Sequence, residues 1–152
     1  MAYQKPQEFQ VSLKILLRNS KGEFLILGSP GIKKYNPKTP YDLPGGRIND
    51  NEVGMDLHQL VRREIKEELG SKVRYKLRKD PVSIYQYRLN NERCIFYVLF
   101  EAEYLGGKIE ISDEHYCFDW KKMAAINVKR YFAPLQAGLL INYFRWNYDA
   151  NK

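Results

Sequence analysis

Apolar and polar residues alternate along several segments of the chain, which is the pattern of half-buried β-strands. In residues 9–18 the apolar side chains fall at every second position, and a second strand is predicted at residues 24–27 after a turn. Three further segments predict strands, namely 72–77, 82–89 and 93–104. A tight turn at Asn90 and Asn91 is expected to join the last two strands into a hairpin.

The helices are predicted from apolar residues spaced three and four positions apart. This spacing runs through residues 56–69, where Asp56 is suited to cap the first turn and Gly70 to end the helix. A second helix is predicted at residues 131–148, and Pro134 is tolerated there because it falls in the first turn.

The remaining segments complete the prediction of the fold. Residues 28–40 predict a basic surface loop, because they contain two glycines, three prolines and three lysines. Ile109 and Ile111 flank a short extended piece. No internal repeat or linker is visible, so we expect residues 1–152 to form one domain. Strands before and after a helix, with hairpins among them, predict an α/β fold in which helices pack on the faces of a mixed sheet.

Composition narrows the class of protein only in part. Hydrophobic residues make up 44% of the chain and charged residues 28%, and no apolar run approaches the roughly 18 residues of a membrane span. The first ten residues lack the apolar segment of a signal peptide, so the cytoplasm is the expected compartment. Cys94 and Cys117 match no metal-ligand spacing and are expected to be packed as thiols. The net charge of +7 suits a polyanionic partner, either a nucleic acid or a phosphorylated small molecule.

The most informative segment is a stripe of carboxylates on the first predicted helix. Glu64, Glu67 and Glu68 stand at positions i, i+3 and i+4, so they fall on one face. Like charges repel there, and the negative end of the helix dipole is close. A bound divalent cation such as Mg²⁺ or Mn²⁺ would remove the conflict. The alternative is a solvated acidic face that neighbouring basic residues neutralise.

These residues resemble a known family motif. Gly46, Glu52 and residues 63–70 (Arg-Glu-Ile-Lys-Glu-Glu-Leu-Gly) are similar to the Nudix box, which has Gly, five residues, Glu, seven residues and then this run. Here ten residues separate Glu52 from Arg63, which we interpret as a three-residue insertion around 53–56. The insertion leaves the helical carboxylates in register, and it leaves open whether Glu52 has the role of the first Glu of the box.

The resemblance implies a fold, an activity and a set of roles. The fold is an α/β/α sandwich around a mixed sheet, and the activity is metal-dependent cleavage of a diphosphate linkage in a nucleoside-diphosphate derivative. Glu64, Glu67 and Glu68 would be ligands of Mg²⁺ or Mn²⁺, and Glu64 would also orient the attacking water. Gly46 could offer its backbone carbonyl to the metal, and Arg63 would fix the carboxylates by ion pairing.

A second acidic segment, residues 112–115, resembles the loop that supplies a further Glu in many Nudix enzymes. Glu114 would then be a general base or an extra metal ligand. The alternative is a polar turn between strands. His115 beside it is expected to be a loop histidine with its hydrogen bonds satisfied.

Candidate substrate-binding residues come from the basic segments and from one tyrosine. Lys33, Lys34 and Arg47 could steer or clamp phosphates, although a solvated charged loop explains the lysines equally well. Tyr87 lies at the offset after the box that resembles the dinucleoside-polyphosphate class. Sugar nucleotides, ADP-ribose and nucleoside triphosphates remain open as substrates.

Two other functions remain open at this point. One is a catalytically silent Nudix-fold nucleotide sensor, and the other is a basic protein that binds RNA or processes RNA 5′ ends. The aromatic side chains of the C-terminal helix, Tyr148 among them, fit either a homodimer interface or a cover for the sheet.

Overall fold

The computed structural model describes residues 4–150, and it describes side chains as far as residue 147. Within that range the chain forms β-strands, α-helices and two short 3-10 helices, Asp50–Glu52 and Val128–Arg130. The strands are β1 (Gln10–Arg18), β2 (Phe24–Gly28), β3 (Tyr41–Asp42), β4 (Gly45–Arg47), β5 (Arg74–Leu77), β6 (Ser83–Arg88), β7 (Cys94–Gly106) and β8 (Cys117–Lys121). The α-helices are α1 (Pro30–Tyr35), α2 (Leu57–Leu69) and α3 (Pro134–Ala150).

The strands form one mixed sheet with β1 at its centre. β1 and β7 are parallel, in a register that runs from Gln10 opposite Ile95 to Arg18 opposite Glu103. The other pairs are antiparallel, and the path through the sheet is β3-β2-β1-β7-β5, with β4 on β1, β6 on β7 and β8 on β2. The predicted mixed sheet is therefore confirmed.

Helices α2 and α3 cover opposite faces of this sheet. Because side chains alternate along a strand, β1 directs Leu13, Ile15 and Leu17 into the cluster that contains α2, and Leu16 into the cluster that contains α3. α2 contributes Leu60, Val61, Ile65 and Leu69, and α3 contributes Ala137, Leu139, Leu140 and Tyr143. This arrangement is the expected α/β/α sandwich. No helix in the described residues is long and apolar enough to span a membrane.

Helix α2 begins and ends where the sequence predicts. The Asp56 carboxylate accepts a hydrogen bond from the His58 N–H at 2.8 Å, and this caps the first turn. Gly70 ends the helix with φ of 91°, a conformation that favours glycine. The five predicted strands also lie within two residues of the observed β1, β2, β5, β6 and β7.

The predicted loop at residues 28–40 is wrong in one part, because it contains helix α1. Pro30 occupies the first turn, and the Ser29 hydroxyl accepts a hydrogen bond from the Ile32 N–H at 3.3 Å. The helix has only six residues and none of them is buried, so it leaves no apolar periodicity in the sequence.

The second predicted helix begins three residues later than expected. Val128–Arg130 is a 3-10 helix, and α3 begins at Pro134, whose ring suits a first helical position. The predicted aromatic surface of this helix includes Tyr148, whose side chain lies outside the described residues.

The segment between β7 and β8, where a short extended piece is predicted around Ile109 and Ile111, forms no strand of the sheet. The Glu110 N–H donates to the Leu69 carbonyl at 2.9 Å, and the Ser112 N–H donates to the Glu68 carbonyl at 3.1 Å. The chain is thus tied to the C-terminal end of α2. The sequence also did not predict β8, whose residues are all partly or fully exposed and so lack a clear alternation.

Candidate active site

The carboxylate stripe of α2 divides into an inner and an outer part. Glu64 and Glu68, one helical turn apart, are only 8% and 4% exposed, whereas Glu67 is exposed. Two buried carboxylates on one stripe are costly unless other groups compensate their charge. The groups that face them therefore determine what the site can bind.

The glycines of β4 bring backbone directly against these two carboxylates. The Gly45 N–H donates to Glu68 Oε2 at 2.7 Å, and a Cβ atom added at Gly46 would stand 2.6 Å from Glu64 Oε1. Gly45 also has φ of 136°, which favours glycine, and a Cβ there would stand 2.0 Å from the Leu13 carbonyl oxygen. Gly45 is therefore required for the close approach of β4 to β1, whereas Gly46 leaves room for the Glu64 carboxylate beside β4.

Arg63 contacts three acidic side chains on and around α2. Its Nη1 forms an ion pair with Glu52 Oε1, and its Nη2 donates to Glu64 Oε1 at 2.9 Å. Its Nε lies 3.6 Å from Glu67 Oε1. Arg63 thus has the ion-pairing contacts that its place in the motif implies.

Glu52 occupies a defined place despite the three-residue insertion. It is buried, and its Oε2 accepts a hydrogen bond from the Asn49 N–H at 2.9 Å. The inserted residues bulge away from the protein, with Val53 77% exposed and Gly54 at φ of 88°. The insertion therefore lengthens an exposed loop and leaves the contact between Glu52 and Arg63 intact.

Burial shifts the protonation of both inner carboxylates. Burial raises the pKa of Glu68 to about 8, and the Gly45 N–H and the Lys14 ammonium oppose that rise only in part. Burial likewise raises the pKa of Glu64, against the effect of Arg63. A nearby cation would favour the charged form of both groups, because opposite charge lowers the pKa of a carboxyl group.

This donor set fits a hard divalent cation in its chemistry. Glu64 and Glu68 offer carboxylate oxygens, which such ions prefer, and Gly46 leaves the space beside Glu64 free of a side chain. Within the described part of the chain, no three acidic, histidine or cysteine side chains already form a group that could hold a metal. Glu64 is held by Arg63, and Glu67 is exposed and stands apart from the two buried carboxylates.

Lys14 supplies a buried positive charge next to these carboxylates. Its Nζ lies 2.9 Å from Asp42 Oδ2, 3.4 Å from the Leu43 carbonyl oxygen and 5.9 Å from the centre of the Tyr97 ring. Burial acts to lower the pKa of Lys14, but Asp42, Tyr97 and Glu68 outweigh it and raise the pKa, so the ammonium stays charged. Lys14 is not among the site residues predicted from the sequence, because it occupies one of the polar positions in the alternating pattern of residues 9–18.

A cleft of about 630 Å³ opens beside Lys14, Asp42 and Gly46 on the α3 face of the sheet, and the carboxylates of α2 are not part of its lining. Its charged and polar lining residues are Ser12, Lys14, Asp42, Arg47, Glu114 and Gln136, together with the backbone of Gly46. Its apolar lining residues are Ile32, Leu89, Ile95, Tyr97 and Leu135. The volume and the mixed lining are typical of a site for a small organic ligand.

The loop at residues 112–115 brings Glu114 to this cleft. The Ser112 N–H is held by the Glu68 carbonyl, and the His115 N–H donates to the Ser112 carbonyl at 3.2 Å. Glu114 is exposed and lines the cleft. His115 differs from expectation, because its buried Nδ1 has no partner among the described residues. Burial lowers the pKa of His115.

The predicted phosphate-binding residues separate into two groups. Arg47 lines the cleft, whereas Lys33 and Lys34 do not contribute to its lining, although Ile32 of the same helix does. The Lys33 ammonium lies 5.0 Å from the centre of the Tyr116 ring. Both lysines are exposed on α1.

Tyr87 lies near the cleft but not in its lining. It pairs across the sheet with Ile95, which does line the cleft. The tyrosine itself lines a separate pocket of about 340 Å³ together with Phe9, Arg88 and others. Its role in binding substrate stays a prediction.

Comparison with known proteins identifies the family. The NUDIX domain matches residues 8–143, and no curated protein sequence matches the chain. The MutT protein from Methanosarcina mazei Go1 is 25% identical, with a TM-score of 0.67 over 99% of this chain and 100% of that one. The chain therefore belongs to the Nudix family and is a Nudix-type hydrolase. Nudix hydrolases generally use divalent metal ions.

Two further structures share the fold at lower identity. A UDP-X diphosphatase is 13% identical, with a TM-score of 0.66 over 100% of this chain and 67% of that one. An ADP-ribose pyrophosphatase from Streptococcus suis 89-1591 is 19% identical, with a TM-score of 0.59 over 90% of each chain. At these identities the likeness establishes the α/β/α fold and not the substrate.

Proposed function

We propose that this Nudix hydrolase cleaves a diphosphate linkage in a nucleoside-diphosphate derivative, using Mg²⁺ or Mn²⁺. The observation that carries the proposal is the pair of buried carboxylates, Glu64 and Glu68, one helical turn apart beside the Gly45–Gly46 backbone. Burial raises the pKa of both carboxyl groups, and a bound cation would favour their charged form because it compensates the negative charge.

Each acidic residue has a distinct part in this proposal. Glu64 and Glu68 would hold the metal from the inner side of α2, Glu67 from its exposed side, and Gly46 through its backbone carbonyl. A bound divalent cation supplies charge neutralisation on the phosphate oxygens. Arg63 would keep Glu64 oriented through the hydrogen bond at 2.9 Å, and Glu52 would in turn hold Arg63.

Glu114 is our candidate for the general base. It is exposed at the cleft and lies on a loop that is tied to the Glu68 carbonyl through Ser112. An exposed carboxylate is able to accept a proton from the attacking water. Glu64, the alternative base, is buried and its Oε1 already accepts a hydrogen bond from Arg63, so it is less free to contact the attacking water.

The cleft lining supports a nucleotide as the substrate. Arg47 would bind phosphate, and the cleft volume of about 630 Å³ suits a ligand of nucleotide size. The similar structures include an ADP-ribose pyrophosphatase and a UDP-X diphosphatase, which supports a nucleoside-diphosphate derivative as the class. Lys33 and Lys34 would act from outside the cleft by steering anions.

The test is turnover of a substrate panel with Mg²⁺ or Mn²⁺ and with a chelator as the control. The panel holds ADP-ribose, dinucleoside polyphosphates, sugar nucleotides, nucleoside triphosphates and 5′-triphosphate RNA. We expect turnover that the chelator abolishes, and a loss of at least about 100-fold in Glu68→Gln. Glu92→Gln, in the exposed hairpin between β6 and β7, is the matched control and should retain full turnover.

Three outcomes of that panel separate the alternatives. Cleavage in the presence of chelator, or full activity of Glu68→Gln, contradicts the proposed metal site. Absence of turnover with binding of a nucleotide favours the sensor. Cleavage of RNA alone would mean that the net charge of +7 serves to bind a nucleic-acid substrate.

We propose the cytoplasm as the compartment, which the free thiols of Cys94 and Cys117 support.

A further inference from the structure

Gln136 presents a hydrogen-bond acceptor that none of the described residues uses. The residue lies near the start of α3, is only 6% exposed, and lines the same cleft as Glu114 and Arg47. Its buried Oε1 finds no hydrogen-bond partner among the residues that the structure describes. A buried polar atom without a partner is destabilising, and a native structure that keeps one usually has a functional reason.

The surroundings of Gln136 define what kind of group would satisfy it. Leu135, Ile95 and the buried ring of Tyr97 line the cleft together with this carboxamide. Phosphate oxygens of a substrate are acceptors, so they cannot donate to Oε1. The missing partner is therefore an N–H or O–H donor that enters an environment with apolar and aromatic walls.

We propose that Gln136 determines nucleobase specificity, with its Oε1 accepting a hydrogen bond from an N–H group of the base. The proposal rests on the proposed function, because it assigns the base of a nucleotide to this part of the cleft. A planar base suits walls made of Tyr97 and aliphatic side chains better than a hydroxylated sugar does. A base edge also places donors and acceptors side by side, which matches the two ends of a carboxamide.

The position of Gln136 is fixed well enough to discriminate between bases. The Ser83 hydroxyl donates to the Leu139 carbonyl at 2.8 Å, and the Asn142 Nδ2 donates to the Ile84 carbonyl at 3.0 Å. Both contacts anchor α3 to β6. A carboxamide on a rigid element rejects a ligand that lacks the matching donor, because its acceptor then stays buried without a partner.

The test measures binding without metal, so that it is separate from hydrolysis. Calorimetric titration with AMP, GMP, CMP, UMP and ribose 5-phosphate is carried out in the presence of a chelator. For the wild type we expect a spread of nucleotide affinities, in which the tightest-binding nucleotide binds about tenfold tighter than the weakest one. It should also bind about tenfold tighter than ribose 5-phosphate. Gln136→Leu should reduce that spread to within about twofold and leave the affinity for ribose 5-phosphate unchanged.

Two further variants complete the design. Gln86→Leu, an exposed glutamine on β6, is the matched control and should keep the wild-type spread. Gln136→Met preserves the side-chain length and replaces Gln136→Leu if the leucine variant fails to fold. Both Gln136 variants should melt at a higher temperature than the wild type, because they remove a buried acceptor without a partner.

The proposal is overturned if the wild type binds the four nucleotides equally, or if Gln136→Leu keeps the wild-type spread. Failure of the proposed function gives a different result, since it removes metal-dependent turnover and leaves base-selective binding measurable. Selective binding that depends on Gln136 therefore supports this inference even where no member of the substrate panel is cleaved.

Discussion

Arg63 forms an ion pair with the buried carboxylate of Glu52, although ten residues separate the two in the chain. The same guanidinium also binds Glu64, so a single side chain links the loop after β4 to one inner carboxylate of α2. The longer spacing thus changes the length of the exposed loop and preserves the contact at its base. Glu52 acts here by holding Arg63 in place.

This relationship makes Arg63 a larger contributor to stability than its partly exposed position suggests. In Arg63→Met, Glu52 and Glu64 would lose their ion-pair partner while both stay buried, and we expect the free energy of unfolding to fall by about 2–4 kcal/mol. Arg62→Met removes an exposed arginine from the same helix and should cost less than about 1 kcal/mol. Urea denaturation measures both. Equal losses in the two variants would mean that the ion pairs contribute nothing.

The parts of the site that follow from local geometry could be predicted from the sequence. Glu64 and Glu68 share a face because residues i and i+4 of any helix do, and Asp56 and Gly70 bound that helix by local capping. Such features depend only on residues close together in the chain, so they can be predicted without knowledge of the rest of the fold.

The parts that depend on distant contacts could not be predicted in the same way. Lys14 meets Asp42 only because the fold brings the strands β1 and β3 close together, and the two residues are 28 positions apart in the chain. Gln136 lines the cleft only because α3 packs across the face of the sheet that holds Tyr97. Its missing hydrogen-bond partner is visible only once that packing is known.

The raised pKa of Glu68 predicts that the metal-free protein loses stability as the pH rises. The pKa is about 8 in the folded chain and 4.5 for the ordinary group, so the folded state holds the proton more tightly than the unfolded state. The stabilisation from that proton is complete below about pH 4.5 and is lost as the pH rises through about 8. Glu68→Gln keeps a neutral acceptor for the Gly45 N–H and escapes this loss.

Thermal melting with a chelator, at about pH 5 and about pH 8, measures this effect. We expect the difference in melting temperature, Glu68→Gln minus wild type, to increase by roughly 3 °C or more from about pH 5 to about pH 8. Glu67→Gln changes an exposed carboxylate of the same helix and should follow the wild type. A constant difference between Glu68→Gln and the wild type would show that Glu68 titrates normally.

The two glycines of β4 should respond differently to the same substitution. Gly45→Ala forces a Cβ against the Leu13 carbonyl oxygen at φ of 136°, so we expect a loss of more than about 2 kcal/mol in the free energy of unfolding. The nearest atoms to the Cβ of Gly46→Ala belong to the Glu64 carboxylate, the end of a flexible side chain, so this variant should cost less than about 1 kcal/mol.

Gly46→Ala should affect activity more than it affects stability. Gly46→Ala displaces Glu64 Oε1, so we expect turnover of the best panel substrate to fall by at least about tenfold in a protein that remains folded. Metal titration followed by melting temperature checks that the metal binds more weakly in this variant. Normal turnover of Gly46→Ala would place Glu64 outside the catalytic group.

The basic residues near the cleft should differ in how they affect substrate binding. Arg47 lines the cleft and Lys34 does not, although both are exposed. We expect Arg47→Ala to raise KM by about tenfold, because it removes a direct contact with phosphate. Lys34→Ala should change KM by less than about twofold in 0.15 M salt and somewhat more in dilute buffer, because an exposed charge outside the cleft acts at long range and is screened. Steady-state kinetics at two salt concentrations measures both effects. If Lys34→Ala raises KM as much as Arg47→Ala at the higher salt concentration, then α1 contacts the substrate directly and the binding site extends beyond the cleft that Arg47 lines.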